Sequence, residues 1–219
     1  MHRFYLPPNE WPTATLSESE THHARDVLRL NPGGRVAVFD GRGREGSAEI
    51  TAVDSGAVQL RILRETLTPP LRCRITLAQA IPKGNNMDLI VQKAVEIGAA
   101  EIVPLLSDRT VVHLDPDTAQ QKQAKWQSVA LEAAKQCGQN WLPQIQRPRT
   151  PKEFFGGIVG DHFDLRLIGS LQPGARHLKE TLRDHEQEYE KKLPQKVLIA
   201  IGPEGDFTPA EIALARSHG

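Results

Sequence analysis

The residues of this 219-residue chain best placed for chemistry are Gly202-Pro203-Glu204-Gly205-Asp206. They lie between an apolar run, Val197 to Ile201, and the polar stretch Thr208-Pro209-Ala210-Glu211. The loop lacks the lysine of a nucleotide phosphate loop and the glycine spacing of a dinucleotide site. Pro203 has no amide to donate, and Glu204 and Asp206 repel anions. A neutral or cationic ligand suits it better, and a glycine on either side of Pro203-Glu204 lets the backbone come close to it. The alternative is a tight strand-to-helix turn whose glycines serve geometry alone. A second candidate lies in "THHARDVLRL" (21 to 30): helical spacing places His22, Arg25 and Arg29 on one basic face, with Val27, Leu28 and Leu30 turned inward.

These residues need elements to hold them. A short continuous apolar run such as 197 to 201 fits a parallel strand covered on both faces. Thr208 and Glu211 have capping-box spacing, Pro209 stands at the first helical position, and Phe207 and Ile212 occupy the hydrophobic-staple positions. The loop therefore falls at the carboxyl end of a strand, where open α/β sheets place ligands. Upstream, "CRITLAQAI", "NNMDLIVQKAVEIG" and "AEIVPLL" read strand, helix, strand, with Gly98 ending the helix. A longer helix follows, capped by Asp115 with Pro116 at its start and Gly138 past its end. Further strands are expected at 163 to 168 and 197 to 201, and a solvated, highly charged helix at 176 to 192. Before Thr68-Pro69-Pro70 the character differs: 35 to 40, 47 to 54 and 57 to 65 are short β-forming runs separated by "GRGREG" and "DSG" turns. The expected organisation is a small β domain over 1–70 and an α/β domain over 71–219.

Lysine plus arginine and aspartate plus glutamate number 27 each, so any nucleic-acid surface must be a local patch. Up to Pro70 every lysine-or-arginine position is arginine, a bias that suits RNA phosphate and base contacts or an ordinary surface paired with neighbouring acids. Cys73 and Cys137 form no CxxC, which points to a reducing, cytoplasmic setting and no metal site. No apolar run approaches a membrane span, and the first residues do not form a signal peptide.

"IGPEGDFTPAEI" resembles the IGPEGG-F signature of the SPOUT-class methyltransferases that modify N3 of a uridine in 16S ribosomal RNA. "HHARDVLRL", "FDGRG", "PKGNNMDLIVQKAVEIGAAEIVPLLSDRTV" and "EAAKQCGQNWLPQI" resemble the same family in the same order, covering nearly the whole chain. The resemblance implies a PUA-like β-barrel over 1–70 that binds RNA, then a SPOUT α/β domain with a trefoil knot that binds S-adenosylmethionine and dimerises. A sulfonium cation without phosphate agrees with the loop's chemistry. The family's cofactor loops map to Leu167, Ile168 and Gly169 and to Ile201, Gly202, Pro203, Glu204 and Gly205.

On the same basis Arg109 is expected either to stabilise negative charge developing on the uracil ring or to pair with Asp108 or Glu101. Lys83 is expected to contact RNA phosphate or to be solvated, and His22, Arg25 and Arg29 to contact RNA. The partners implied are 16S rRNA, free or within the small ribosomal subunit, and a second copy of the chain. Three positions depart from the pattern. Asp206 stands where the family has glycine, Gln139 where it has arginine, and Gly219 precedes the family's last segment, so the natural protein is expected to continue and a chain ending there to lack activity. Two other classes stay open: a non-catalytic RNA-binding module and a nucleotide-dependent α/β enzyme.

Overall fold

The computed structural model describes residues 1–54, 56–110, 114–158, 162–189 and 192–218. Its contacts divide the chain into two units, Met1–Pro70 with Ala130–Leu142, and Leu71–Val129 with Pro143–Gly219.

The first unit is built on β1 (Arg3–Tyr5), β2 (Arg35–Phe39), β3 (Arg44–Val53) and β4 (Val58–Leu67), hydrogen-bonded in that order. β1 runs parallel to β2, and the other neighbours are antiparallel. Gly46, Ala48 and Ile50 of β3 alternate inward, as a sheet with one covered face requires. They join a core of Phe4, Leu6, Trp11, Val36, Val38 and Val58. β2, β3 and β4 overlap the three expected runs, but β3 begins at Arg44, inside the expected "GRGREG" turn. β1 is only three residues long, too short to show an alternation. Ser55 of the expected "DSG" turn lies outside the described residues.

The expected helix over 21–30 takes another form. α1 (Glu18–His22) is capped by Ser17 and passes into a π-helical turn, His23–Val27, closed by Leu28 N donating to His23 O at 2.9 Å. The wider turn rotates the faces away from 3.6-residue spacing. Leu28 and Leu30 pack on the core, but Val27 is exposed, and Arg29 lies beyond the helical turns with φ +53°.

The second unit is α/β. Its five parallel strands are β5 (Arg74–Ala80), β6 (Glu101–Leu105), β7 (Gln144–Ile145), β8 (Leu165–Gly169) and β9 (Lys196–Ile201), in the spatial order β7-β6-β5-β9-β8. The helices are α2 (Asn86–Glu96), α3 (Pro116–Cys137), α4 (Pro151–Gly157), α5 (Leu178–Glu188) and α6 (Pro209–Ser217). The residues of α3 from Ala130 onward belong to the first unit. α3 starts where the Asp115 carboxylate accepts from Thr118 N at 2.8 Å and stops at Gly138, with φ +79°. Gly98 ends α2 in the same left-handed conformation. α5 occupies part of the charged stretch, whose residues 190 and 191 lie outside the described ones. Phe154, Phe155, Leu198, Ala200, Phe207 and Ile212 form the core between the sheet and α4 and α6. No described helix is long and apolar enough to cross a membrane.

Candidate functional site at the carboxyl edge of the parallel sheet

Because the strands are parallel, β5, β6, β8 and β9 all end at one edge, and β5 and β9 are neighbours where the strand order reverses direction. The loop Gly202–Phe207 leaves β9 at that point. It ends in α6, whose Thr208–Glu211 capping box has Pro209 at the first position, as expected. Phe207 is fully buried and Ile212 nearly so, which anchors the entry to the helix.

The loop is fastened to each of the other three. Glu204 accepts from Lys83 N in the loop after β5 at 2.9 Å. Arg109, in the loop after β6, donates through Nη1 to Gly205 O. Asp206 accepts from Ser170 Oγ at 3.1 Å and Leu171 N at 2.8 Å in the loop after β8, and from Phe207 N at 2.7 Å. Glu211 serves beyond its own cap: it also accepts from Ser107 Oγ at 3.1 Å and Asp108 N at 2.9 Å. Three acids within eight residues thus organise the whole edge.

The electrostatics follow from these donors. Glu204 is held below the ordinary carboxylate range by its own backbone amide and that of Lys83. Burial of Asp206 acts to raise its pKa, but the amides of Leu171 and Phe207, the Ser170 hydroxyl and the charge of Arg109 together bring it below the ordinary value. Asp206 takes a φ of +65°, a left-handed conformation that aspartate visits more readily than most side chains. Its carboxylate then makes bonds that glycine cannot. Gly202 is the crowded glycine: a Cβ there would stand 2.7 Å from Phe207 N and 2.9 Å from Asp206 C. At Gly205 a Cβ would be 3.7 Å from Arg109 Cδ, an ordinary contact.

The structure brings most of the candidate residues together. Gly169 pairs with Ile201 across β8 and β9, which sets the two candidate cofactor segments side by side. Leu167 and Ile168 line an apolar cavity of about 140 Å³ with Phe155, Leu198 and Ala215. Arg109 bonds the loop carbonyl rather than pairing with Asp108 or Glu101 among the described residues, and its guanidinium stays exposed. Val111 and Val112 of the "SDRTVV" motif lie outside the described residues. The Lys83 side chain is exposed. His22, Arg25 and Arg29 belong to the first unit, where Asp26 accepts from His22 Nδ1 at 2.7 Å and from Arg25 Nε at 2.8 Å. Ser170 and Ser107 were not singled out from sequence, and Asp206 was read there as an anion-repelling loop acid in place of the family's glycine, not as a tie to the loop after β8. Among the described residues no cluster of three His, Cys, Asp or Glu side chains has metal-ligand geometry.

The edge also fits a sulfonium nucleoside. The loop carries two carboxylates and no amide at Pro203, its backbone is exposed at Gly205, and the buried Thr110 hydroxyl beside Arg109 has no partner among the described residues. These features disfavour phosphate and leave room for backbone contacts to a cationic, nucleoside-bearing ligand.

Comparison with known proteins gives a consistent picture. The family model for an RNA methyltransferase PUA domain matches residues 16–63, and that for an RNA methyltransferase domain matches residues 69–219. The chain is similar to ribosomal RNA small subunit methyltransferase E of Synechocystis, with 34% identity over 208 residues, covering 94% of this chain and 64% of the relative. The Bacillus subtilis protein of the same name is 28% identical, covering 93% of this chain and 78% of its own length. Among solved structures, a putative methyltransferase of Legionella pneumophila in complex with SAM superposes with a TM-score of 0.84 at 30% identity, covering 99% of this chain and 86% of that one. Ribosomal RNA small subunit methyltransferase E of Neisseria gonorrhoeae, bound to S-adenosyl methionine, gives 0.82 at 30% identity, covering 100% and 86%.

Proposed function

Because the chain belongs to the RNA methyltransferase family, whose domain model matches residues 69–219, we propose that it transfers a methyl group from S-adenosylmethionine to N3 of a uridine in 16S rRNA. The observation that carries the reading is the edge built around the loop after β9, cross-tied to three neighbouring loops and exposed at Gly205. Leu167, Ile168, Gly169 and Ile201 through Gly205 would hold the cofactor, which supplies an electrophilic methyl group. Glu204 and Asp206 keep the loop acidic, which favours a sulfonium over a phosphate. Arg109 spends one N–H on Gly205 O and keeps further donors for charge developing on the uracil ring. On this reading Arg109 is the catalytic residue.

The same reading takes residues 1–70 as a PUA-like barrel that binds RNA, with contacts from His22, Arg25 and Arg29, and from Lys83 in the second domain. It takes 71–219 as a SPOUT domain with a trefoil knot that dimerises. The setting is the cytoplasm, and the substrate is 16S rRNA, free or in the small subunit. The test is transfer of tritiated methyl from S-adenosylmethionine to rRNA, with the product base identified by mass spectrometry. Label at uridine N3 is expected. Label on another atom, or none, overturns the reading.

A further inference from the structure

We propose that Trp141 and Arg42 form a stacking site for an unpaired RNA base. The indole would carry the base, and the Arg42 guanidinium would hold an adjoining phosphate. The inference rests on the RNA-methyltransferase reading above and goes beyond it by assigning a site in the first unit.

The site is built by the hairpin between β2 and β3. The buried Asp40 carboxylate accepts from Arg42 N at 2.7 Å and Arg44 N at 3.0 Å, which fixes the turn. Gly41 and Gly43 take φ +71° and +96°, a region that L side chains avoid. A Cβ at Gly43 would stand 2.6 Å from Thr68 O and 2.7 Å from the Trp141 ring, so the indole lies directly on bare backbone. Three further bonds lock the arrangement: Gly43 N to Asn140 O at 2.9 Å, Leu142 N to Gly41 O at 3.0 Å, and Trp141 Nε1 to Thr68 O at 3.0 Å. Arg42 and Trp141 are antiparallel bridge partners, so their side chains are neighbours on the ladder.

Exposure singles this pair out. Trp11 and Trp126 are 6% and 3% exposed, whereas Trp141 is 36% exposed although its ring edge and one ring contact are fixed. The nearby arginines are committed: Arg3 to Glu45 at 3.1 Å, and Arg44 over the Trp11 ring at 5.0 Å with Asp40 at 3.8 Å. Arg42 is exposed and has no ion pair among the described residues, and the one acid of its turn is occupied by backbone amides. A pre-ordered indole beside an uncommitted guanidinium is the pair of groups by which proteins hold unpaired bases and their phosphates. A protein partner also favours Trp and Arg, but its contacts need an apolar surround. Here the ring lies on the Gly43 backbone and donates to Thr68 O, with Arg42 across the bridge.

The test uses tryptophan emission from the full chain, titrated with unpaired RNA of mixed sequence and with a duplex of the same sequence. Unpaired RNA is expected to quench the emission, and Trp141→Leu to remove the quenching and weaken binding about tenfold. Arg42→Gln, at an exposed side chain, is expected to weaken binding and to lower the salt slope by about one counterion with unchanged melting. Unchanged affinity in both variants, while the native protein binds RNA, overturns this site and leaves the methyltransferase reading standing. Equal quenching by the duplex overturns base stacking. Unchanged RNA affinity with altered sedimentation assigns the face to a protein partner instead. Failure of the native protein to bind any RNA overturns both readings.

Discussion

The Asp40 hairpin and the Asp206 loop use the same device for different ends. In each, one buried aspartate accepts two backbone amides. Asp40 takes both from its own turn, at Arg42 and Arg44, so the hairpin's shape is written into five consecutive residues. Asp206 takes one from Phe207 and the other from Leu171, 35 positions earlier, and its own backbone is held at φ +65°. The first is a local fold, and the second exists only once β8 and β9 are paired. A carboxylate that closes a turn sets a shape, whereas one that bridges loops makes each loop's position depend on the others.

The largest test of this contrast is at Gly202. A Cβ there meets backbone on the same loop, so Gly202→Ala should cost about 3 kcal/mol in denaturant unfolding of the second unit. Gly205→Val should cost far less stability yet lower affinity for S-adenosylmethionine in calorimetry, because a Cβ there meets only the exposed Arg109 side chain, at an ordinary 3.7 Å. Equal stability losses would remove the distinction between a crowded glycine and one kept clear for a ligand. Next, Glu211→Ala should cost about 2 kcal/mol, since it orphans the Thr208 amide of the cap and two donors of another loop. Asp40→Ala should cost about 1.5 kcal/mol by the same measurement, confined to the first unit.

A smaller effect concerns acid. The folded-state pKa of Asp206 lies below its ordinary value, so its stabilisation is present above the ordinary aspartate pKa and is lost as pH falls through the folded value. The stability difference between the native protein and Asp206→Asn should therefore shrink between about pH 5 and about pH 2. Smallest of all is Asp26→Asn. Asp26 titrates at about 2, chiefly through its bond from Arg25, but the pair is exposed. The melting temperature should not move measurably.

Much of the second unit was legible because its signals are local. Proline after threonine with glutamate three residues on marks α6, and the apolar run marks β9. The identical signature at Thr150-Pro151 and Glu153 announces α4, although α4 was not read. What sequence concealed was partnership. Glu211 is visible as a capping residue, but its bonds to Ser107 and Asp108 join positions more than a hundred residues apart. The basic face at 21 to 30 failed for a different reason: the spacing argument assumed 3.6 residues per turn, and the chain winds wider from His23. The hairpin glycines were read as a turn, but nothing local says that an indole from position 141 will rest on one of them.

The acids of the carboxyl edge also set a clock. Glu204, Asp206 and Glu211 hold the amides of Lys83, Asp108, Leu171, Phe207 and Thr208, which belong to the loops after four different strands. Such an amide exchanges with deuterium only after its acceptor withdraws, and all three acceptors ride on residues 204 to 211. One excursion of that short stretch therefore releases all four loops at once. Their opening and closing should share a single rate, and a ligand that slows one should slow them all.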